Sequence, residues 1–178
     1  MSKFLISAGH GGGDPGNTAS GRREADIAQD LRNIIVSKLR PLGHDVTTDG
    51  AASENWSLAR AVTLIVTGRT AIEIHTNASD NSASRGVEVI GNKSQAALCR
   101  DIAQGIAKVL GTTTRRDGGW FDYDKLMQEQ KRTLGFVKRG GIIIETFFQS
   151  NPQELAAYDA KKWLVAQAIV DALEGKGA

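Results

Sequence analysis

Two rhythms of apolar residues alternate along this chain, and each predicts a different element. Short apolar runs mark strands at Lys3–Gly9, His44–Thr48, Ala71–Thr76, Gly86–Ile90 and Ile142–Phe147. Between them, apolar residues recur every three or four positions and predict helices at Glu24–Arg40, Glu54–Gly68, Lys93–Leu110 and Pro152–Leu173. Pro41 and Gly43 close the first helix, and Pro152 falls in the first turn of the last, where a missing N–H costs nothing. The stretch between Leu110 and Ile142 reads as a polar loop. Strands alternating with helices of this length predict an α/β fold, a largely parallel sheet covered on both faces.

Composition narrows the class. The 178 residues are 40% hydrophobic and 24% charged, which suits one domain over the whole chain with a real core. A formal net charge of +2 does not argue for nucleic acid. No apolar run approaches the ~20 residues of a membrane span, so no stable membrane insertion is expected. Met1 leads straight into a strand without the apolar core of a signal peptide, and synthesis in the cytoplasm is the expectation. A single cysteine, Cys99, excludes both an internal disulfide and a cysteine-based zinc cluster.

Sites in α/β sheets form beyond the carboxyl ends of the strands. Two of the chain's three histidines fall there: His10 follows the first strand, within a run of five glycines, and His75 ends the Ala71–Thr76 strand. Glu145 comes directly after three isoleucines in the Ile142–Phe147 strand, where a buried carboxyl is placed for a raised pKa. The buried stripe of the first helix runs through Ile27, Ala28, Leu31, Ile34, Ile35 and Leu39, and stepping back one turn lands on Glu24. Two imidazoles and a carboxylate with an open fourth position are the ligand set of a catalytic zinc site. Nickel and copper accept the same donors. A strand-end histidine that simply satisfies its own hydrogen bonds, a solvated first-turn glutamate and an ion-paired Glu145 are the plainer readings.

The blocks GHGGGDPG at Gly9–Gly16, Glu24, IHTNAS at Ile74–Ser79 and ETFFQSN at Glu145–Asn151 resemble, in order and spacing, the zinc-dependent N-acetylmuramoyl-L-alanine amidases. RGVEV at Arg85–Val89 also falls where that family has a strand. The resemblance implies a phosphorylase/hydrolase-like three-layer fold with about six strands. It implies that His10, Glu24 and His75 bind Zn²⁺ and that Glu145 is the catalytic carboxylate. The implied substrate is peptidoglycan, cut between N-acetylmuramic acid and L-alanine. A phage endolysin, held in the host cytoplasm until released to the wall and monomeric by default, is the expected form. A zinc peptidoglycan endopeptidase or carboxypeptidase, or a silent wall-binding module, is the alternative. The chain departs from the family at Phe147, where glycine is usual, at Gly141, where proline often precedes the strand, and at Glu73, where serine is common.

Smaller features carry paired readings. Glu73 shares a face with His75 and either backs that imidazole or pairs with an arginine, the latter being favoured. Asp14 either orients a ligand or stabilises its own turn, again with the second favoured. Arg115 and Arg116 beside Trp120, Phe121 and Tyr123 either line a substrate groove or belong to a loop whose aromatics cap the core. Arg60 is as plausible a surface charge as a site residue. Trp163 and Cys99 read as core.

Overall fold

Strand alternation sorts the side chains of one six-stranded sheet into two unequal cores. The computed structural model describes residues 1–131 and 133–176. Its strands are β1 (Lys3–Ala8), β2 (Asp45–Thr48), β3 (Thr70–Asn77), β4 (Glu88–Gly91), β5 (Trp120–Asp122) and β6 (Ile142–Phe148), in the spatial order β2-β1-β3-β6-β4-β5. Every neighbouring pair is parallel except β4 with β6. The expected α/β fold and its mostly parallel sheet are therefore present, with the edge pair β4 and β5 running opposite to the other four strands.

Phe4, Ile6, Ala8, Ile72, Ile74, Ile142 and Ile144 point to the face covered by three long helices: α1 (Glu24–Leu39), α3 (Ala96–Leu110) and α6 (Pro152–Leu173). The whole predicted stripe of α1 is buried, with Leu31, Ile35 and Leu39 fully excluded from solvent. Each such side chain contributes about 1.5–3 kcal/mol of burial. The Asn151 side chain caps α6 by accepting from the N–H groups of Gln153 and Glu154. Buried Glu154 then accepts from the N–H groups of Phe148 and Gly86 and from the Thr112 hydroxyl, tying β6, the entry to β4 and the exit of α3 to one carboxylate.

Leu5, Ala71, Ile90 and Ile143 point to the opposite face. Its cover is made of short pieces: α2 (Leu58–Ala61), α4 (Tyr123–Gln130) and α5 (Gly135–Lys138). Phe121, Tyr123, Leu126, Phe136 and Val137 complete this smaller core.

Three expectations are corrected here. Glu54–Gly68 is not one helix: a single α turn passes into a 3-10 turn at Val62–Leu64 and ends at Ile65, whose backbone is extended. The run of Val62, Thr63, Ile65, Val66 and Thr67 is β-branched and costs helix propensity at each step. The segment between Leu110 and Ile142 is not simply a loop, since it supplies β5, α4 and α5. Trp163 is not core: it is 57% exposed, on the outer side of α6. Cys99 is buried as expected, and burial pushes its thiol up to about 12. Among the described residues no helix is long and apolar enough to cross a membrane.

Candidate metal centre and cleft

The end of β1 is held in place before it delivers its histidine. Asp49, just past β2, accepts from the Ala8 N–H at 3.0 Å and the Ser7 hydroxyl at 2.7 Å. It is ion-paired at 3.0 Å with Arg32 of α1, and neither side chain is exposed to solvent. Sequence reasoning passed over this buried pair because its partners are distant in the chain. Beyond it the Gly9 N–H donates to the Ile74 carbonyl at 2.7 Å, keeping the chain on β3 for one more residue.

His10 then breaks direction. Its φ of 65° lies in the left-handed region, an unusual conformation for a residue with a side chain and one that concentrates at functional sites. Two glycines around it are required by space. A Cβ on Gly9 would lie 2.3 Å from the His75 ring, and one on Gly16 would lie 2.6 Å from the His10 ring and 2.8 Å from Glu24 Oε2. The opening glycines thus let the backbone pass close behind both imidazoles and the carboxylate.

Glu24 reaches the same point from the first turn of α1. Its Oε2 lies 3.0 Å from His10 Nε2 and its Oε1 lies 3.0 Å from His75 Nδ1. The N–H groups of Asn17 and Thr76 donate to these same two oxygens and fix the carboxylate. The two rings stand edge to face with centroids 5.0 Å apart. One donor atom from each of His10, Glu24 and His75 falls within 4.8 Å of the others.

Each imidazole has a second carboxylate behind it. Asp14 Oδ2 lies 2.8 Å from His10 Nδ1, and Glu73 Oε2 lies 3.0 Å from His75 Nε2. Each ring therefore has a carboxylate at both nitrogens, and the inward ones, turned to Glu24, are placed to act as ligands once they give up their protons. The favoured turn role of Asp14 is present, and the favoured arginine pairing of Glu73 is corrected. Among the described residues Glu73 pairs with the histidine and with no arginine, because strand alternation leaves His75 as its neighbour on the face. Asp14 holds its turn through the Gly16 N–H and contacts the imidazole as well.

The electrostatics follow from this packing. The Glu24 hydrogen bond raises the pKa of His10, against the effect of burial. Burial works against a charged His75, but the Glu24 and Glu73 carboxylates outweigh it and raise that pKa well above the usual imidazole value. Burial also opposes the charge on Glu24, yet the two imidazoles hold its carboxyl well below the usual range. Asp14 is lowered chiefly by His10. Two imidazoles, a buried carboxylate and an outer carboxylate on each ring suit a borderline cation such as zinc.

Glu145 is the direct cross-strand neighbour of His75, in the parallel register of β3 and β6. By the same register Glu88 of β4 stands opposite Glu145 on its other side. All four expected residues border one cleft of about 480 Å³, whose far wall includes Arg115, Arg116 and Phe148. A second cleft, of about 440 Å³, opens on the other side of the histidines towards Ser57, Leu58 and Phe136. Phe121 and Tyr123 do cap the smaller core, whereas the neighbouring arginines face the cleft. Arg60 stacks on Trp56, 3.3 Å from the ring centroid.

A polar cluster at the carboxyl ends of a parallel sheet, opening into a cleft, is where α/β enzymes work. Comparison with known proteins says which enzymes these are. The model of the N-acetylmuramoyl-L-alanine amidase family matches residues 4–175, and the chain belongs to that family. Among solved structures, a Neisseria meningitidis chain assigned as an N-acetylmuramoyl-L-alanine amidase is 37% identical with a TM-score of 0.86, over 99% of this chain and 97% of its own. The catalytic domain of CwlV, an N-acetylmuramoyl-L-alanine amidase of Bacillus (Paenibacillus) polymyxa, shares the fold at 22% identity and a TM-score of 0.81, over 99% and 98%. So does the catalytic domain of the CD27L endolysin, which targets Clostridia difficile, at 21% and 0.71, over 100% and 99%. The comparison with curated proteins found no match. The protein is an amidase acting on peptidoglycan.

Proposed function

We propose that this amidase is zinc-dependent, with His10, Glu24 and His75 as the metal ligands and Glu145 as the catalytic carboxylate. The observation that carries the reading is the convergence of three donor atoms within 4.8 Å, each imidazole backed by its own carboxylate. When bound, zinc supplies Lewis acidity that polarises the scissile carbonyl and makes water a competent nucleophile at neutral pH. Everything else falls to the chain. Asp14 and Glu73, on the outer ring nitrogens, would orient the rings so that the inner nitrogens could hold the ion. Glu145, beside His75 on the next strand, takes a proton from the attacking water at its carboxylate oxygen and returns it to the departing nitrogen of L-alanine. Glu24 is fixed by two backbone N–H groups and would be spent on holding the ion, which leaves it unsuited to that second task.

The test is digestion of purified wall followed by labelling of new amino termini. L-alanine should appear, should vanish on chelation and should return with zinc. Another amino terminus would make the protein an endopeptidase. Activity that survives full removal of metal would overturn the zinc assignment.

Lysis of a bacterial host at the end of a phage cycle is the role proposed for this activity. It is supported by the shared fold of the CD27L endolysin domain over the whole chain. On this reading the protein acts as a monomer and waits in the host cytoplasm for release to the wall. The higher identity of the Neisseria meningitidis relative favours wall remodelling by a bacterium as the second reading. Expression in a host with and without a membrane-permeabilising partner distinguishes them, since a lysin clears the culture only when the partner is present.

A further inference from the structure

We propose that Arg115 and Arg116 form an anion subsite that binds a free carboxylate of the stem peptide on the leaving side of the scissile bond. The inference rests on the amidase reading above and names where its substrate lies.

Three features of the pair point to a ligand. First, the two guanidinium groups share a single counter-charge. Arg115 Nε lies 3.3 Å and Arg116 Nε 3.4 Å from the same oxygen of Glu88, Oε2. Among the described residues Arg116 makes no other ion pair, so the group carries one positive charge in excess. Second, both guanidinium groups are preorganised. Arg115 lies over the Phe148 ring at 5.0 Å and Arg116 over the Phe121 ring at 4.2 Å, which holds the planar forks in place while about 40% of each side chain stays open, 38% and 42% respectively. Third, the backbone is strained where the second arginine stands. Arg116 has a φ of 56°, a left-handed conformation for a long side chain. That turn is braced by the Arg115 N–H on the Val87 carbonyl and by the Gly119 N–H on the Arg115 carbonyl.

Position then selects the ligand. Glu88 stands directly across from Glu145 in the sheet, so the arginines lie beyond the proposed proton shuttle as seen from the histidines. A group that protonates the departing L-alanine nitrogen must sit beside that nitrogen, and the peptide attached to it extends further the same way. Stem peptides carry free carboxylates within the next residues, whereas the glycan N-acetyl and hydroxyl groups are neutral. Arginine meets a carboxylate with two parallel N–H donors, which fits the excess charge and the fork geometry.

The experiment compares purified wall before and after its carboxylates are converted to amides by carbodiimide coupling with ammonia. Release of L-alanine amino termini is followed for the parent protein, for Arg116→Gln and for Arg116→Lys, with zinc content measured on each. Arg116→Gln leaves Arg115 on Glu88, so the buried carboxylate keeps a partner. On untreated wall this variant should raise KM by about tenfold, the value of one charge-assisted hydrogen bond, with the loss falling on KM more than on kcat. Arg116→Lys should recover part of it. On amidated wall the parent should lose a similar factor, and the parent and Arg116→Gln should converge. Equal use of the two walls by the parent overturns the subsite even if the variants fail to fold. So does an equal loss on both walls in Arg116→Gln, which would make the arginine structural. Absence of L-alanine amino termini from untreated wall with the parent would instead overturn the amidase reading itself.

Discussion

Behind the sheet, α1, α3 and α6 bury Leu31, Ile35, Ile106 and Ile169 completely against Ile72 and Ile144. In front of it, Glu73, His75 and Glu145 share a face with Ile143, under helices of one or two turns. The rear layer is built from long periodic elements whose stability comes from apolar area. The front layer has too little helix to bury everything, and it uses the uncovered end of the sheet for carboxylates, imidazoles and a left-handed His10. The lesson is a division of labour across one sheet. A left-handed His10 and the clustered imidazoles and carboxylates are tolerated in front because the rear face supplies the stability that holds the strands in register.

Substitutions can break that division if it is wrong. The largest effect is expected at Glu145→Gln, which keeps shape but removes the base and should cost about 10²–10⁴ in turnover. Zinc content and thermal midpoint should change little. Retained activity would reduce Glu145 to a structural role, and lost zinc would make it a ligand. On the rear face Leu31→Ala should cost about 2–5 kcal/mol in unfolding free energy, because a fully buried side chain leaves a cavity. Below its new midpoint the variant should bind zinc like the parent. Denaturant titration and metal analysis on the same sample decide this, and a parallel loss of metal affinity would show that the two layers are not separable.

Glu73→Gln sharpens the comparison within the front layer. Its carboxylate backs His75, and replacing it with an amide should weaken metal affinity by about 10–100-fold while the fold persists. Competition with a chelator of known affinity reads this directly, and unchanged affinity would leave Glu73 a bystander.

The smallest effect expected is in pH. His10 and His75 hold protons more firmly than an ordinary imidazole, whose pKa is about 6.5. After chelation, the stability from those protonated rings is fully present below that value and is lost as pH rises through the raised folded-state values. Glu24 and Asp14, which are lowered, contribute above the usual carboxylate range and lose their contribution as pH falls. Zinc must displace the imidazole protons, so its affinity should climb with pH above about 6.5. Thermal midpoints of zinc-loaded and chelated protein should diverge as pH is raised. A constant gap would mean that the histidines do not bind the metal.

Much of this molecule can be read from its residues in order. The stripe of α1 is periodic, so Ile27 to Leu39 announce a buried face, and Glu24 is in phase with it. The isoleucines before Glu145 and the strand before His75 declare their ends, and the spacing of four short blocks declares the family. Those signals are local: they depend on the helical period, the strand period and the residue types at element ends. The remaining features depend on partners far apart in the chain. Arg32 with Asp49, Asp14 and Glu73 on the outer ring nitrogens, and Glu88 between two arginines, are electrostatic choices settled only when strands lie side by side. A carboxylate has several cations within reach along a sequence, and strand order and register decide which it meets. The one-turn helices of the front layer were illegible for a related reason, since four residues carry no period and their β-branched neighbours argue against helix until packing against the sheet overrides them.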